Sequence, residues 1–439
     1  VALNDDLLAG GSVLRDPGLG HPQAQISTLC VSEGFTMSFL NPVFSVGNVS
    51  YRDGKRYAWV MSLIVPAVLG CGPLFYWLTG SVAAMWIPAT TIYVVIPLLD
   101  MILGEDLNNP PEEVVPLLEA DSYYRWATYL LVPVLWIAFL ANAVFVGTQD
   151  LPWTAVLATA VNIGILCGFG INLGHELGHK KSKLERNLAT SVLAMGAYGH
   201  FAIDHNRGHH RHVATPEDCA SSRMGETLYA FALHELPGAF RRAWRLERGR
   251  LDRHEWPVWS LHNEIVRAGL ITVTVTAGLT IAFGPIMMPY LLTTYFIGAF
   301  HLTMANYIEH YGLLRQKRTN GLYERCQPHH SWNSNHICSN WALYHLQRHS
   351  DHHANPGRRY QSLRHFDDLP TLPNGYFGMF LVALIPPLWF RVMDPLVVAN
   401  AERDPHKIHF DPKRREALCA RYGLLDAGAE ETGPTAAAA

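Results

Sequence analysis

Long uncharged runs alternate with polar, histidine-bearing segments along this chain of 439 residues. The apolar runs are 57–78, 82–103, 126–146, 153–173, 269–283 and 286–307. A helix needs roughly 20 such residues to span a bilayer. Five runs meet or approach that length; the run 269–283 falls short and borrows Ala268 and its polar flank. Short turns at Leu78-Thr-Gly-Ser81, at 147–152 and at Gly284-Pro285 join the runs in pairs. The pattern predicts an all-α integral membrane protein, with six transmembrane helices in three hairpins and a helical cap on the cytoplasmic side. Pro66, Pro73, Pro88, Pro97 and Pro133 fall inside the runs, where neighbouring helices tolerate them. Gly164, Gly168, Gly170, Gly174 and Gly178 give the fourth helix small residues at a spacing that lets helices pack closely. Residues 377–390 are apolar but short and broken by Pro386-Pro387, so they read as a packed or interfacial helix.

Basic residues orient these spans. Arg52, Lys55 and Arg56 precede the first, and Lys180, Lys181, Lys183 and Arg186 follow the fourth, whereas the short connections carry no Lys or Arg. Both termini are therefore expected in the cytoplasm. The layout is an irregular N-terminal segment (1–56), four spans (57–173), a cytoplasmic segment (174–268), two spans (269–307), a cytoplasmic C-terminal segment (308–425) and a linker-like tail (426–439). No charged stretch followed by a short apolar one precedes the first span, so no cleavable signal peptide is expected. The acidic segment 104–125 holds Asn108-Asn-Pro-Pro-Glu-Glu113, which reads as a helix start. A net charge of −3 gives no nucleic-acid signal. Seven single cysteines, with no CxxC pair, fit reduced thiols facing the cytosol.

The chemistry lies in nine histidines: His175 and His179; His205, His209 and His210; His310; and His349, His352 and His353. Each cluster stands at or beyond the end of an apolar run. On a helix His175 and His179 share a face, as do His205 and His209, while His210 diverges by about 100°. His352 and His353 both return towards the face of His349 while diverging from each other. Nine imidazoles are too many for one ion and suit two, with four or five each. Glu176, Asp204, Glu309 and Asp351 lie beside these histidines, placed to orient a ligand imidazole by hydrogen bonding or, for one of them, to bind metal directly. His200, His212, His301, His329, His330, His336 and His345 are weaker candidates.

An imidazole-rich site suits iron or copper. His175-Glu176-Leu-Gly-His179 also matches the HExxH zinc-protease motif. A protease site takes three ligands and leaves six clustered histidines unexplained. A metal transporter would put its polar residues at mid-membrane, and here nearly all lie past the span ends. A metal site at the mouth of an apolar bundle instead suits a lipid-like substrate whose C–H bond is hydroxylated or desaturated.

HxxxH, HxxxHH and HxxHH boxes mark the membrane di-iron desaturases and hydroxylases. The fuller stretches 172–180, 204–210, 306–313, 346–354, 104–115 and 328–336 resemble the membrane-bound alkane 1-monooxygenases, over roughly residues 50–415. The motif around His310 distinguishes that family from ordinary desaturases, and Asp204 stands where Glu is common. The resemblance implies two Fe ions, O2-dependent hydroxylation of n-alkanes to 1-alkanols, and a bacterial inner-membrane location. It implies electrons from a rubredoxin with an NAD(P)H-dependent reductase. Without CxxC pairs in the chain, that donor is separate or fused beyond the tail. A fatty acid desaturase or hydroxylase and an alkylbenzene monooxygenase are the nearest alternatives. Trp86, Ile92 and Tyr93 in the second span and Leu130, Val134 and Phe139 in the third are candidate channel liners, or else lipid-facing and packing residues. Arg241, Arg242, Arg245, Arg248, Arg250 and Arg253 form a basic stretch for an acidic donor or for lipid headgroups.

Overall fold

The computed structural model describes residues 42–424. The expectations for residues 1–41 and for the tail from 425 lie outside that range. Residues 43–52, expected to be irregular, form a hairpin. Strands β1 (Val43–Val46) and β2 (Val49–Arg52) pair antiparallel, with Val46 opposite Val49. The two-residue turn Gly47-Asn48 needs a left-handed residue, and Gly47 supplies it at φ +58°.

The first predicted span is not one rod. Helices α1 (Met61–Leu69) and α2 (Gly72–Thr79) meet at a bend of 56°. Gly70 fills the break, where an added Cβ would lie 2.9 Å from that of Ala138, and Pro73 starts the next helix. Then come α3 (Val82–Leu103), α4 (Ser122–Thr148) and α5 (Trp153–Gly178), each long and apolar enough to cross a membrane. Asp121 caps α4 by accepting from the Tyr123 amide at 2.9 Å. The predicted helix start at 108–113 is displaced, since the helix there is Val115–Ala120. Two amphipathic helices, α6 (Lys183–Met195) and α7 (Leu228–Arg253), lead to α8 (Glu264–Phe283), whose first turn is capped by Asn263. Its capped start lies five residues before the predicted run, which gives it spanning length.

Helix α9 (Met287–His310) follows, then the short α10 (His349–Ala354). Helices α11 (Tyr376–Ala383) and α12 (Pro386–Asn400) meet at 119°. Among the described residues, four helices, α3, α4, α5 and α8, pass as membrane spans by length and composition, and up to six spans result if each bent pair counts as one. The predicted sixth span, α9, falls short in hydropathy because it carries Thr294, His301, Thr303, Asn306 and Glu309. These residues are buried against protein.

Helix α5 is the hub: 78% of its span is buried, against 11% for α8. Trp77, Ile102, Ile137 and Ile281 point outward, as lipid contact requires. Glycines set the central packing. Cβ atoms added at Gly164 and Gly168 would lie 2.6 Å from Ile297 and 2.9 Å from His301. The same offset at both contacts makes α5 and α9 parallel. Gly174 presses instead against Leu193 of α6, so the stripe serves two faces. The 26 residues of α5 run about 39 Å, beyond the ~30 Å of a hydrocarbon core, so its last turns can stand clear of lipid.

Candidate metal centre

The end of α5 carries His175 and His179 to the end of α9, which carries His310. Two further segments close over them. Residues 201–212 start as a helix and pass into a π turn, His205–His209. The other is α10 with His349, His352 and His353. The nine predicted histidines come together, sorted into two groups. His175, His179, His205, His210 and His352 form one; His209, His310, His349 and His353 form the other; within each, the ligand atoms all lie within 4.8 Å of one another.

The π turn decides this sorting. An α-helix would put His205 with His209 on one face. The wider turn instead brings His205 to His210, Nε2 to Nε2 at 3.0 Å, and sends His209 to the other group. Gly208 sits inside the turn, where a Cβ would come within 2.5 Å of the Arg242 Nε. In α10 ordinary helical spacing suffices: His353 Nε2 lies 2.9 Å from His349 Nε2, while His352 faces the first group.

The nitrogens themselves fit metal. His352 Nε2 lies 2.8 Å from that of His175 and 3.1 Å from that of His210. A single proton cannot bridge several ring nitrogens converging on one point, but a cation can. The Nε2 atoms of His179, His209 and His310 are buried with no hydrogen-bond partner. Burial, and then the neighbouring imidazoles, hold His179, His205, His210, His349, His352 and His353 well below the usual imidazole range. They are therefore neutral, the form that binds metal.

The carboxylates divide differently from expectation. Glu309 lies 3.3 Å from His349 Nε2, and its Oε1 is buried without a partner. The other three turn away from the imidazoles. Glu176 pairs with Lys180 at 3.1 Å, Asp204 binds Arg242 at 2.6 and 2.9 Å, and Asp351 meets Arg358 at 3.3 Å. Glu176 directly follows His175, Asp204 directly precedes His205, and Asp351 directly precedes His352. A helical neighbour points about 100° away. The orienting carboxylate missed in sequence is Asp218, whose Oδ2 lies 2.8 Å from His209 Nδ1. It stands in an aperiodic loop, and its proximity to His209 and Arg242 is visible only in the fold. Burial resists ionisation of Asp218, but His209, its hydrogen bonds and Arg242 together hold its carboxyl far below the usual range. Arg242, expected on a docking surface, is partly buried and bonds Asp204 and Asp218.

A cavity of about 520 Å³ opens onto both groups. His175, His205 and His349 stand at its polar end, while Phe169, Leu302, Leu346 and Phe380 line the rest. None of the predicted liners borders it. Ile92 and Phe139 are core residues, Trp86 and Val134 pack against the core, and Leu130 is 50% exposed. Tyr93 comes nearest, bonding His301 Nδ1 at 3.0 Å. The cavity lies beside Gly168, where α5 has no side chain, and between α9 and α11 rather than between α3 and α4. Of the weaker candidates, His301 lines this cavity, and His329 and His330 form a separate group with Glu324. His212 pairs with Glu217, His336 with Glu105, and His345 Nδ1 faces the Tyr360 carbonyl.

Residues 151–383 match the fatty acid desaturase family. The chain is 52% identical to an alkane 1-monooxygenase of Ectopseudomonas oleovorans over 388 residues, covering 86% of this chain and 94% of the relative. It is 50% identical to an alkane 1-monooxygenase of Pseudomonas putida over 398 residues, 88% of this chain and 96% of the relative. The hydroxylase component of a Pseudomonas putida xylene/toluene monooxygenase is more distant, at 27% over 363 residues, 81% of this chain and 92% of that one.

Proposed function

Because the chain belongs to the alkane 1-monooxygenases within the fatty acid desaturase family, we propose that it hydroxylates the terminal methyl of n-alkanes with O2, at two irons held by nine histidines. The carrying observation is the sorting of nine imidazoles into a five and a four beside one apolar cavity. His175, His179, His205, His210 and His352 hold one iron; His209, His310, His349 and His353 hold the other. When bound, the irons supply the activation of O2.

The side chains do the rest. Asp218 accepts from His209 Nδ1, which leaves Nε2 as the lone-pair nitrogen for metal. Glu309 adds an oxygen ligand to the four-histidine group. An alkane offers no polar handle, so the cavity wall must select the methyl by shape. Phe169, Leu302 and Phe380 exclude water and aim one chain end at His175, His205 and His349. The reaction is RCH3 + O2 + 2 e− + 2 H+ → RCH2OH + H2O. Its electrons come from a rubredoxin, reduced by an NAD(P)H-dependent reductase.

The α1–α2 pair and helices α3, α4, α5, α8 and α9 serve as six spans of a bacterial inner membrane, with the histidines and both termini cytoplasmic. Lys180, Lys181 and Lys183 beyond α5 support that orientation. Reconstituted with rubredoxin, reductase and dodecane, the protein is expected to give one 1-dodecanol per O2 and to carry two irons per chain. Oxidation of xylene without 1-alkanol would replace this reading with an alkylbenzene hydroxylase.

A further inference from the structure

Each turnover needs two protons, and an alkane brings none. A second, much smaller cavity, about the size of a single water, adjoins the substrate cavity. Phe201, His205, Leu302 and Asn306 border both. Its other walls include Tyr198, His200, Asp204 and Glu235. Two polar atoms there, the Tyr198 hydroxyl and His200 Nε2, are buried without a hydrogen-bond partner, which suits a space that takes up water.

Glu235 of α7 is 1% exposed. Its carboxylate accepts from the Thr303 hydroxyl at 2.8 Å and from the Asn306 amide at 3.2 Å, both on α9. Neither partner is a cation, so the buried charge is not neutralised in place. Arg242, two turns along α7, is bound to Asp204 and Asp218. Tyr198, His200, Asp204, His205 and His209 share the small cavity with Glu235, and Cys219 and Asp218 lie near it.

We propose that Glu235 is the proton relay of the enzyme, passing protons from the His200 side of the small cavity, past Asn306, to the end of the substrate cavity where O2 is reduced. The inference rests on the O2 chemistry proposed above. In the step, the O–O bond breaks, and two electrons from the one-electron donor protein and two protons accompany it. One oxygen leaves as water with two new O–H bonds; the other enters the C–H bond as the hydroxyl. Glu235 gives up its carboxyl proton in each transfer and regains one from solvent through the cavity. Its titration suits this role. Burial first, then the charges of Asp204 and Asp218, push the carboxyl up to about 7, against the bonds from Thr303 and Asn306. Near neutrality it both holds and releases a proton.

Glu235→Gln, studied in the iron-loaded enzyme with its electron donors and dodecane, tests the relay. The expected result is a kcat lowered roughly 100-fold, at the low end for loss of a general acid, with iron content and alkane KM unchanged. Less 1-alkanol should form per O2 consumed, and Glu235→Asp should recover part of the rate. In the wild type kcat should fall as pH rises through about 7, where the carboxyl loses its proton, and in the Gln variant that limb should vanish. Infrared difference spectra across that range should show a protonated carboxyl band in the wild type that the variant lacks, beside the bands of other buried carboxyls, a readout independent of turnover. A Gln variant with wild-type kcat, coupling and pH profile overturns the relay. So does a rate loss that tracks iron loss and is not relieved by Asp. A wild type that makes no 1-alkanol overturns the underlying reading instead.

Discussion

The five-histidine and four-histidine groups share a cavity wall, but they are supported by different means. In the first, imidazoles face one another from α5, the π turn and α10, and among the described residues no carboxylate is paired with its nitrogens. In the second, His209 is bound to Asp218, His310 faces the His330 carbonyl at 3.3 Å, and His349 lies beside Glu309. The first group is therefore held by helix geometry, the second by hydrogen bonds and charge. The contrast teaches that two adjoining imidazole groups need not be equal in metal affinity, basicity or tolerance of mutation.

The sharpest way to break that contrast uses neighbours in sequence. His352→Ala removes a ligand from the five, and His353→Ala removes one from the four. Each is expected to abolish alkane hydroxylation and to lower iron from two per chain to one. If either variant loses both irons together, the groups are one cooperative site and the division is wrong.

Arg242→Met comes next. It leaves Asp204 and Asp218 buried without their cation, which costs about 3–5 kcal/mol. Thermal unfolding should register this loss. Reduced iron occupancy should appear first in the four-histidine group, whose His209 depends on Asp218. Asp218→Asn isolates the orienting bond. A loss of roughly 10–100-fold in metal affinity or activity is expected, with the five-histidine iron little changed. Mössbauer spectra can separate the two irons, and an equal change at both would erase the asymmetry.

The metal-free protein should be sensitive to acid. Its buried histidines resist protonation in the fold but titrate near 6.5 once unfolded. Stability is therefore fully present above that value and declines as pH falls below it. The slope is up to about 1.4 kcal/mol per pH unit for each such histidine, continuing down to the folded-state value. Urea midpoints of the metal-free form between pH 7 and 5 give this slope, and bound metal should suppress it. The mildest change is Gly168→Ala, expected to cost about 1–3 kcal/mol by overpacking against His301 and to shorten the longest alkane accepted. An unchanged product range with dodecane and hexadecane would remove Gly168 from the cavity wall.

Much of this was legible before folding. Helices α3, α4 and α5 follow from apolar length alone, and the four clusters from spacing and resemblance. The break at Gly70 lay within a run of uniform hydropathy and was hidden. The sorting of the ligands was hidden too, because one π turn exchanges the roles of His209 and His210, and nothing in local spacing announces it. Residues adjacent to ligands attracted attention that helical geometry denies them, so Glu176, Asp204 and Asp351 face cations. Asp218 lies outside any periodic pattern, and Glu235 stands on the buried stripe of α7 where an apolar residue is expected. Their meaning comes from contacts with Arg242 and with α9, across long stretches of chain. The cavity was misplaced for a related reason, since a wall made by a missing side chain, Gly168, leaves no apolar signal.

The distance in sequence between partners has a consequence for how the protein is born. His175 and His352 touch although 177 residues separate them. At a synthesis rate of about 5–20 residues per second, the ribosome needs roughly 9–35 s to deliver the second after the first. Through that interval α5 stands finished with two of the nine histidines at its end. Neither histidine group can be complete before α10 is made, because His352 belongs to one and His349 and His353 to the other.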